Sequence, residues 1–144
     1  NITFGEDPDL FSKEKFDNAI RMADLDEFVK QSKNGVNTVV GERGIALSGG
    51  QSQRVGIARA FYADRDILFF DEATSSLDGL TESNVINSIR KLKNKTLFLI
   101  SHNFSTIQNC DKIIFLVDGK VEASGSYVEL VNNNKKFAEL AEVS

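Results

Sequence analysis

The sequence of 144 residues has one cysteine, one histidine and no long apolar run. Cys110 alone can form neither an internal disulfide nor a cysteine-based metal site. The longest apolar runs, such as residues 67–70 and 113–117, are four or five residues long, whereas a membrane-spanning helix needs about 20. Basic residues are not in excess, since 17 Lys and Arg against 21 Asp and Glu give a formal charge of −4. This balance argues against a nucleic-acid-binding surface, which requires clustered basic residues.

Hydrophobic residues make up 41% of the chain and charged residues 26%, values typical of a folded globular protein. A chain of this length can bury roughly 68% of its unfolded surface, which is enough for one domain. Residues 1–63 are predicted to be mainly helical. Ser12 is predicted to cap a first helix, and a later helix is predicted to begin between Gly49 and Gln51 and to end near Tyr62.

From residue 64 onward the pattern changes to alternating strands and helices. Residues 67–70 form a continuous apolar run, which is typical of a strand buried on both faces, and residues 96–100 form a second such run. A helix is predicted between them, over residues 81–91. This strand–helix–strand order predicts a parallel sheet.

A third strand is predicted over residues 112–117, and Asp118-Gly119 after it is a strong hairpin-turn signal. We therefore predict an α/β fold with a partial parallel sheet flanked by helices. The domain organisation predicted is a helical subdomain over residues 1–63 and part of an α/β core over residues 64–144, with the hairpin near the C-terminus.

The segment Leu47-Ser48-Gly49-Gly50-Gln51 opens the predicted helix with a serine and two glycines. Backbone N–H groups at a helix start have no partner inside the helix, and glycine lets an anion approach them closely. The segment therefore predicts a phosphate-binding site. The alternative from these five residues alone is an ordinary helix cap after a flexible turn.

Two further features follow the predicted strands. Asp71 and Glu72 end the first strand, where open α/β sheets bind ligands, and a carboxylate there can hold Mg²⁺ beside a nucleotide phosphate. Glu72 can then act as a general base toward a water molecule. His102 ends the next strand, close to the carboxylates if the two strands are parallel neighbours. Taken singly, these features are equally consistent with an acidic strand end and a packed or surface histidine.

In order along the chain, Ser48 to Gln51, Asp71-Glu72, Ser76-Leu77-Asp78 and His102 resemble the motifs of the ATP-binding cassette (ABC) ATPases. The resemblance covers nearly the whole chain. It implies that residues 47–51 are the signature motif, 67–71 Walker B and 76–78 the D-loop. The implied nucleotide-binding residues are Leu47, Ser48, Gly49, Gly50, Gln51, Ser76 and Asp78, with Asp71 at the metal, Glu72 as catalytic base and His102 as switch histidine.

The resemblance also implies cofactors and partners. The cofactors are ATP and Mg²⁺, and the first partner is a second nucleotide-binding domain in a head-to-tail dimer. Residues 38–44, from Thr38 to Gly44, are similar to the exporter segment that contacts the coupling helices of the transmembrane domain. The implied activity is ATP hydrolysis coupled to export, of lipid, glycolipid or peptide, at the cytoplasmic face of the plasma (inner) membrane.

One motif of the family does not occur in these residues. The phosphate loop, G-x-x-x-x-G-K-[ST], binds the nucleotide through its amides and lysine. The Gly-Lys pair present, Gly119-Lys120, is followed by Val121 and does not fit. The resemblance places that loop, the Q-loop glutamine and the adenine-stacking aromatic upstream of Asn1. The chain alone is therefore expected to be inactive.

The resemblance further places the phosphate-loop strand between the strand that ends at His102 and the strand that begins at Lys112. Without it, both neighbours have an unpaired edge, and exposed strand edges favour aggregation. We therefore expect that the isolated 144 residues do not fold autonomously with native stability.

Other function classes remain open. A soluble ABC ATPase that acts on DNA or ribosomes would share these motifs, although the exporter-like residues 38–44 argue against it. A catalytically incomplete interaction fragment is a second alternative. An unrelated α/β hydrolase would need a G-x-S-x-G nucleophile elbow, which the sequence lacks.

Overall fold

The computed structural model describes residues 1–41 and 44–143. Glu42 and Arg43, within the segment similar to the exporter coupling region, lie outside the described residues. Two short 3₁₀ turns occur at Pro8–Leu10 and Gly35–Asn37. The other elements, in chain order, are α1 Lys13–Met22, α2 Asp26–Gln31, α3 Gly49–Ala63, β1 Ile67–Asp71, α4 Gly79–Arg90, β2 Thr96–Ile100, α5 Phe104–Ile107, β3 Ile113–Val117, β4 Lys120–Gly125, α6 Tyr127–Asn133 and α7 Lys135–Val143.

Helices precede residue 64 and strands alternate with helices after it, so the predicted α/β fold is confirmed. The chain forms two compact units, Asn1–Phe98 and residues 99 onward. The predicted division between residues 63 and 64 stays a prediction about the intact domain.

The strands form two small sheets. β1 pairs with β2 in a small parallel sheet, and β3 pairs with β4 in an antiparallel hairpin. Asp118 and Gly119 join β3 to β4 with φ angles of 50° and 74°. Two consecutive left-handed residues make the turn whose twist matches that of a hairpin, as the Asp-Gly pair predicts.

The core of the first unit lies between α1, α3, α4 and one face of β1. Ser12 caps α1 as predicted, because its hydroxyl accepts a hydrogen bond from the N–H of Lys15 at 3.3 Å. Apolar residues three or four positions apart along each of the three helices face this core. The buried core residues here are Ala19, Ile20, Ala23, Leu25, Val55, Ile57, Ala58, Phe61, Tyr62, Leu68, Phe70, Val85, Ile86 and Ile89.

The prediction that β1 is buried on both faces is wrong. Leu68 and Phe70 are buried, but Ile67 is 56% exposed and Phe69 is 69% exposed. The Phe69 ring stacks on Phe98 of β2, with ring centroids 4.5 Å apart. β2 is likewise half-buried on one face and exposed on the other. The face of β1 that carries Leu68 and Phe70 packs on the helices. No described residue of this unit covers the face that carries Ile67 and Phe69.

The second unit is built around Phe137 of α7, which is 1% exposed. The rings of Phe104, Phe115 and Tyr127 surround it, with centroids 5.1, 5.3 and 5.7 Å away. Ile113 and Leu130 complete this cluster. Edge-to-face ring contacts therefore attach the hairpin and α5 to the C-terminal helices.

β2 pairs with β1 and β3 pairs with β4, and the expectation that a further strand belongs between β2 and β3 stays a prediction. We therefore predict that urea unfolds the isolated 144 residues in a broad transition with a low m-value. The m-value scales with the surface exposed on unfolding, and a poorly closed core exposes less. Circular dichroism against urea concentration is the measurement. A single cooperative transition with the m-value of a complete domain of this size would contradict the expectation.

Candidate functional site

The predicted phosphate-binding segment begins α3 with a capping box. The hydroxyl of Ser48 accepts a hydrogen bond from the N–H of Gln51 at 3.2 Å, and the side-chain oxygen of Gln51 accepts one from the N–H of Ser48 at 3.0 Å. These reciprocal bonds fix where the helix starts. Ser48 keeps its hydroxyl hydrogen and Gln51 its amide NH₂ group as donors for an outside acceptor.

The backbone at the same helix start remains accessible. Ser48 and Gly49 are exposed, and Gly50 is half-buried. Neither the N–H of Gly49 nor that of Gly50 donates a hydrogen bond to any described residue. Two backbone donors at the positive end of a 15-residue helix can therefore bind an anion.

Gly50 is also needed for contact within the chain. A Cβ atom at this position would lie 2.9 Å from the carbonyl oxygen of Ser76 and 3.4 Å from a methyl carbon of Leu77. At Gly49 it would lie 3.5 Å from the Cβ of Ser76. The structure thus brings together two predicted site segments, the start of α3 and the D-loop, in backbone contact.

The acidic pair lies at the end of β1, as predicted. Asp71 is the last residue of the strand, Glu72 follows it, and both are exposed. Glu72 has a φ of 45°, the left-handed region that non-glycine residues rarely adopt. The chain then turns, with the N–H of Ser75 donating to the carbonyl oxygen of Glu72 at 3.1 Å. This turn directs residues 72–76 back toward α3.

Asp78 has a local role that sequence patterns alone did not assign. It is the N-cap of α4, and its carboxylate accepts a hydrogen bond from the N–H of Thr81 at 3.1 Å. That backbone bond, which favours the charged carboxylate, holds the pKa of Asp78 below its usual range. Asp78 therefore fixes the end of the D-loop to α4, and its predicted contact with nucleotide stays a prediction.

Gln53 is a residue of this region that sequence reasoning missed. It lies on α3 two residues after the predicted segment, and its amide forms hydrogen bonds with three atoms of residues 72–76. No local pattern could have shown this, because its partners are 19 to 23 residues away in sequence.

His102 follows β2 and is exposed in the second unit. β1 and β2 pair in one sheet, which is the topology that the prediction of its position assumed. Its proximity to Glu72 stays a prediction.

A protein-only metal centre is not found in residues 1–41 and 44–143, where no group of three or more His, Cys, Asp or Glu side chains could hold an ion. Mg²⁺ in nucleotide enzymes is usually held by one or two carboxylates together with phosphate oxygens. The exposed carboxylate of Asp71 at a strand end fits that donor set.

The profile of the ABC transporter family matches residues 2–75, which include the start of α3, β1 and the acidic pair. The chain belongs to the ABC transporter family. The resemblance drawn from the motifs is therefore confirmed, and the chain covers part of the nucleotide-binding domain.

Relatives of this ABC chain include ATP-dependent lipid A-core flippases. That of Vibrio vulnificus (strain YJ016) is 44% identical over 133 residues, which are 92% of this chain and 23% of the flippase. That of Burkholderia pseudomallei (strain 1710b) is 41% identical over 141 residues, which are 97% of this chain and 23% of the flippase. The chain thus spans about a quarter of the length of the relatives it matches.

The fold of the ABC chain is similar to that of part of a solved ABC exporter. The structure of a bacterial Atm1-family ABC exporter with ATP bound superposes with a TM-score of 0.90 and 36% sequence identity, over 99% of this chain and 25% of that one. Within the part of the ABC chain that the structure describes, no helix has the length and apolar character needed to cross a membrane.

Proposed function

We propose that this chain is the C-terminal part of the nucleotide-binding domain of an ABC exporter that couples ATP hydrolysis to transport. The observation that carries the proposal is the joined pair of segments in the first unit. The anion-binding start of α3 is exposed at Ser48 and Gly49, while its inner side packs on Ser76 of the loop that follows Asp71 and Glu72. A phosphate-binding helix start that is exposed in this way suits a site completed by a second subunit.

In this proposal each residue has one task. The hydroxyl of Ser48 and the N–H groups of Gly49 and Gly50 bind the γ-phosphate of a nucleotide held by the opposite subunit. In this subunit's own site, Glu72 accepts a proton from the attacking water. His102 donates a hydrogen bond to the γ-phosphate or to that water.

Asp71 is the residue proposed to hold Mg²⁺, with the remaining ligands from the phosphates and water. When bound, the ion neutralises charge that develops on the phosphate oxygens during transfer. Asp71 ends a strand whose Leu68 and Phe70 are buried, so its backbone position is fixed by the core. The site therefore combines a rigidly placed metal ligand with an adjacent base.

The partners proposed are a second nucleotide-binding domain in a head-to-tail dimer and the coupling helices of a transmembrane domain. Residues 38–41 and 44 belong to the segment that would contact those helices, and Val39 in it is 62% exposed. The protein is proposed to act at the cytoplasmic face of the inner membrane. Because two of its relatives are lipid A-core flippases, a lipid or glycolipid is the substrate class to test first.

Metal withdrawal from the full-length protein in its membrane tests this function. We expect that the protein fractionates with membranes and hydrolyses ATP, and that EDTA lowers the rate about 100-fold or more, because charge neutralisation by the ion supplies several kcal/mol in such sites. Adding Mg²⁺ back should restore hydrolysis. Activity found only in the soluble fraction would favour a non-transport ABC ATPase, and no hydrolysis at all would favour an interaction fragment.

A further inference from the structure

Gln53 joins the start of α3 to the loop that contains the proposed base. Its side-chain NH₂ group donates to the carbonyl oxygen of Glu72 at 3.3 Å and to the hydroxyl of Ser75 at 2.9 Å. Its side-chain oxygen accepts a hydrogen bond from the N–H of Ser76 at 2.9 Å. The Gln53 side chain therefore forms hydrogen bonds with three atoms of the loop, one each from Glu72, Ser75 and Ser76.

The amide group suits this position chemically. A primary amide offers donors and an acceptor from one small planar group without charge. Glutamate at this position would accept from Ser76 but could not donate to Glu72 or Ser75. Leucine has nearly the same size and could do neither. The three bonds therefore depend on the chemistry of Gln53 and not only on its volume.

The loop that Gln53 contacts has an unusual backbone. Glu72 has a φ of 45°, a conformation that persists in non-glycine residues only when the surroundings impose it. Its carbonyl oxygen receives two hydrogen bonds, from Gln53 and from the N–H of Ser75 at 3.1 Å. Gln53 is thus part of what holds the peptide of the proposed base in this conformation.

The same loop touches α3 at a second point. The carbonyl oxygen of Ser76 lies where a Cβ on Gly50 would be only 2.9 Å away, so the two backbones are in direct contact. Gly50 and Gln53 lie one turn apart on the same helix. Together these two contacts join the start of α3 to residues 72–76.

We propose that Gln53 is a positioning residue that couples the phosphate-binding start of α3 to the orientation of Glu72. The inference rests on the proposed function, in which α3 binds the nucleotide of the opposite subunit and Glu72 acts in its own site. A nucleotide bound at Ser48 and Gly50 then sets the position of the base through Gln53. Each site thereby responds to the occupancy of the other.

The test is the kinetics of ATP hydrolysis by the full-length transporter carrying Gln53→Leu. We expect kcat to fall about tenfold, because misplacing a catalytic group by a fraction of an ångström is costly. The KM for Mg-ATP should stay within about twofold, because Gln53 is not proposed to touch nucleotide. Ser52→Ala, an exposed neighbour on the same helix, is the matched control and should leave both constants unchanged.

Three further variants, two single and one double, test whether Gln53 acts through the loop. Ser75→Ala removes one of the three bonds and should lower kcat about twofold to threefold. Combined with Gln53→Leu it should cost no more than Gln53→Leu alone, because residues in one hydrogen-bond network are not additive. Gln53→Glu should lower kcat without a matching rise in KM, because it loses both donors.

Four results would overturn the proposal: a wild-type kcat in Gln53→Leu, a rise in KM that accounts for the whole loss, additive effects of Gln53→Leu and Ser75→Ala, or a loss in Ser52→Ala equal to that in Gln53→Leu. If Gln53→Leu does not accumulate as a folded membrane protein, Gln53→Glu decides, and a wild-type kcat there rejects the coupling. Full hydrolysis in Glu72→Gln would instead reject the proposed function, whatever Gln53 does.

Discussion

Replacing Glu72 by glutamine in the full-length transporter should lower ATP turnover about 100-fold or more, since a positioned general base contributes 10²–10⁴-fold. Glutamine has the same shape but cannot accept the proton of the attacking water. The carbonyl oxygen of Glu72, which Gln53 and Ser75 hold, is unchanged by the substitution. We therefore expect ATP-dependent dimers of the nucleotide-binding domains to form and to persist.

Phosphate release under single-turnover conditions measures the first effect, and cross-linking or size analysis with and without Mg-ATP measures the second. Glu14→Gln, an exposed acid in the first turn of α1, is the matched control and should hydrolyse ATP at the wild-type rate. Unchanged hydrolysis in Glu72→Gln would remove Glu72 from the role of base. Loss of ATP-dependent dimers together with turnover would mean that the residue holds the site together instead.

Features set by local chemistry were predictable from the sequence. Ser12 and Ser48 cap helices because a hydroxyl before an apolar stripe satisfies N–H groups that the helix leaves open. The hairpin at Asp118-Gly119 follows from the two positive φ angles that this pair adopts easily. Each of these features depends only on residues within a few positions of one another.

Burial of the strands was not predictable in the same way. Apolar residues at positions 67 and 69 are compatible with burial of that face of β1. Whether the face is buried depends on whether another element of the fold packs against it. Ile67 and Phe69 are exposed here because the helices of this unit pack on the side of Leu68 and Phe70. The sequence of a strand therefore predicts the faces that can be buried, and only the packing of the fold decides which are.

The candidate site shows the same limit. The residue types and order of residues 47–51, 71–72 and 76–78 predicted three motifs, and the structure places two of them in contact at Gly50 and Ser76. Gln53 could not be found in advance, because its role depends on a loop that returns to α3 after about twenty residues. A glycine explained by phosphate approach alone also proves to be required for contact within the chain.

Gly50→Ala in the full-length transporter should impair both stability and turnover. The added methyl group would lie 2.9 Å from the carbonyl oxygen of Ser76, so helix and loop must separate. Such overpacking typically costs about 1–3 kcal/mol. Because Gln53 joins the same two segments, the shift should displace Glu72 and lower kcat about tenfold or more. Thermal unfolding of the detergent-solubilised protein and steady-state ATP hydrolysis are the measurements.

Gly56 provides the control, because it lies on the same helix, is exposed, and has no atom within 4 Å of an added Cβ. Gly56→Ala should stabilise the domain by about 0.5–1 kcal/mol, because alanine loses less backbone entropy than glycine in a helix, and it should leave turnover unchanged. Replacing glycine by alanine on this helix is thus expected to lower stability at position 50 and to raise it at position 56. If Gly50→Ala also raised the melting temperature and hydrolysed ATP normally, Ser76 could not be packed against α3, and the link from the helix start to Glu72 would lose its structural basis.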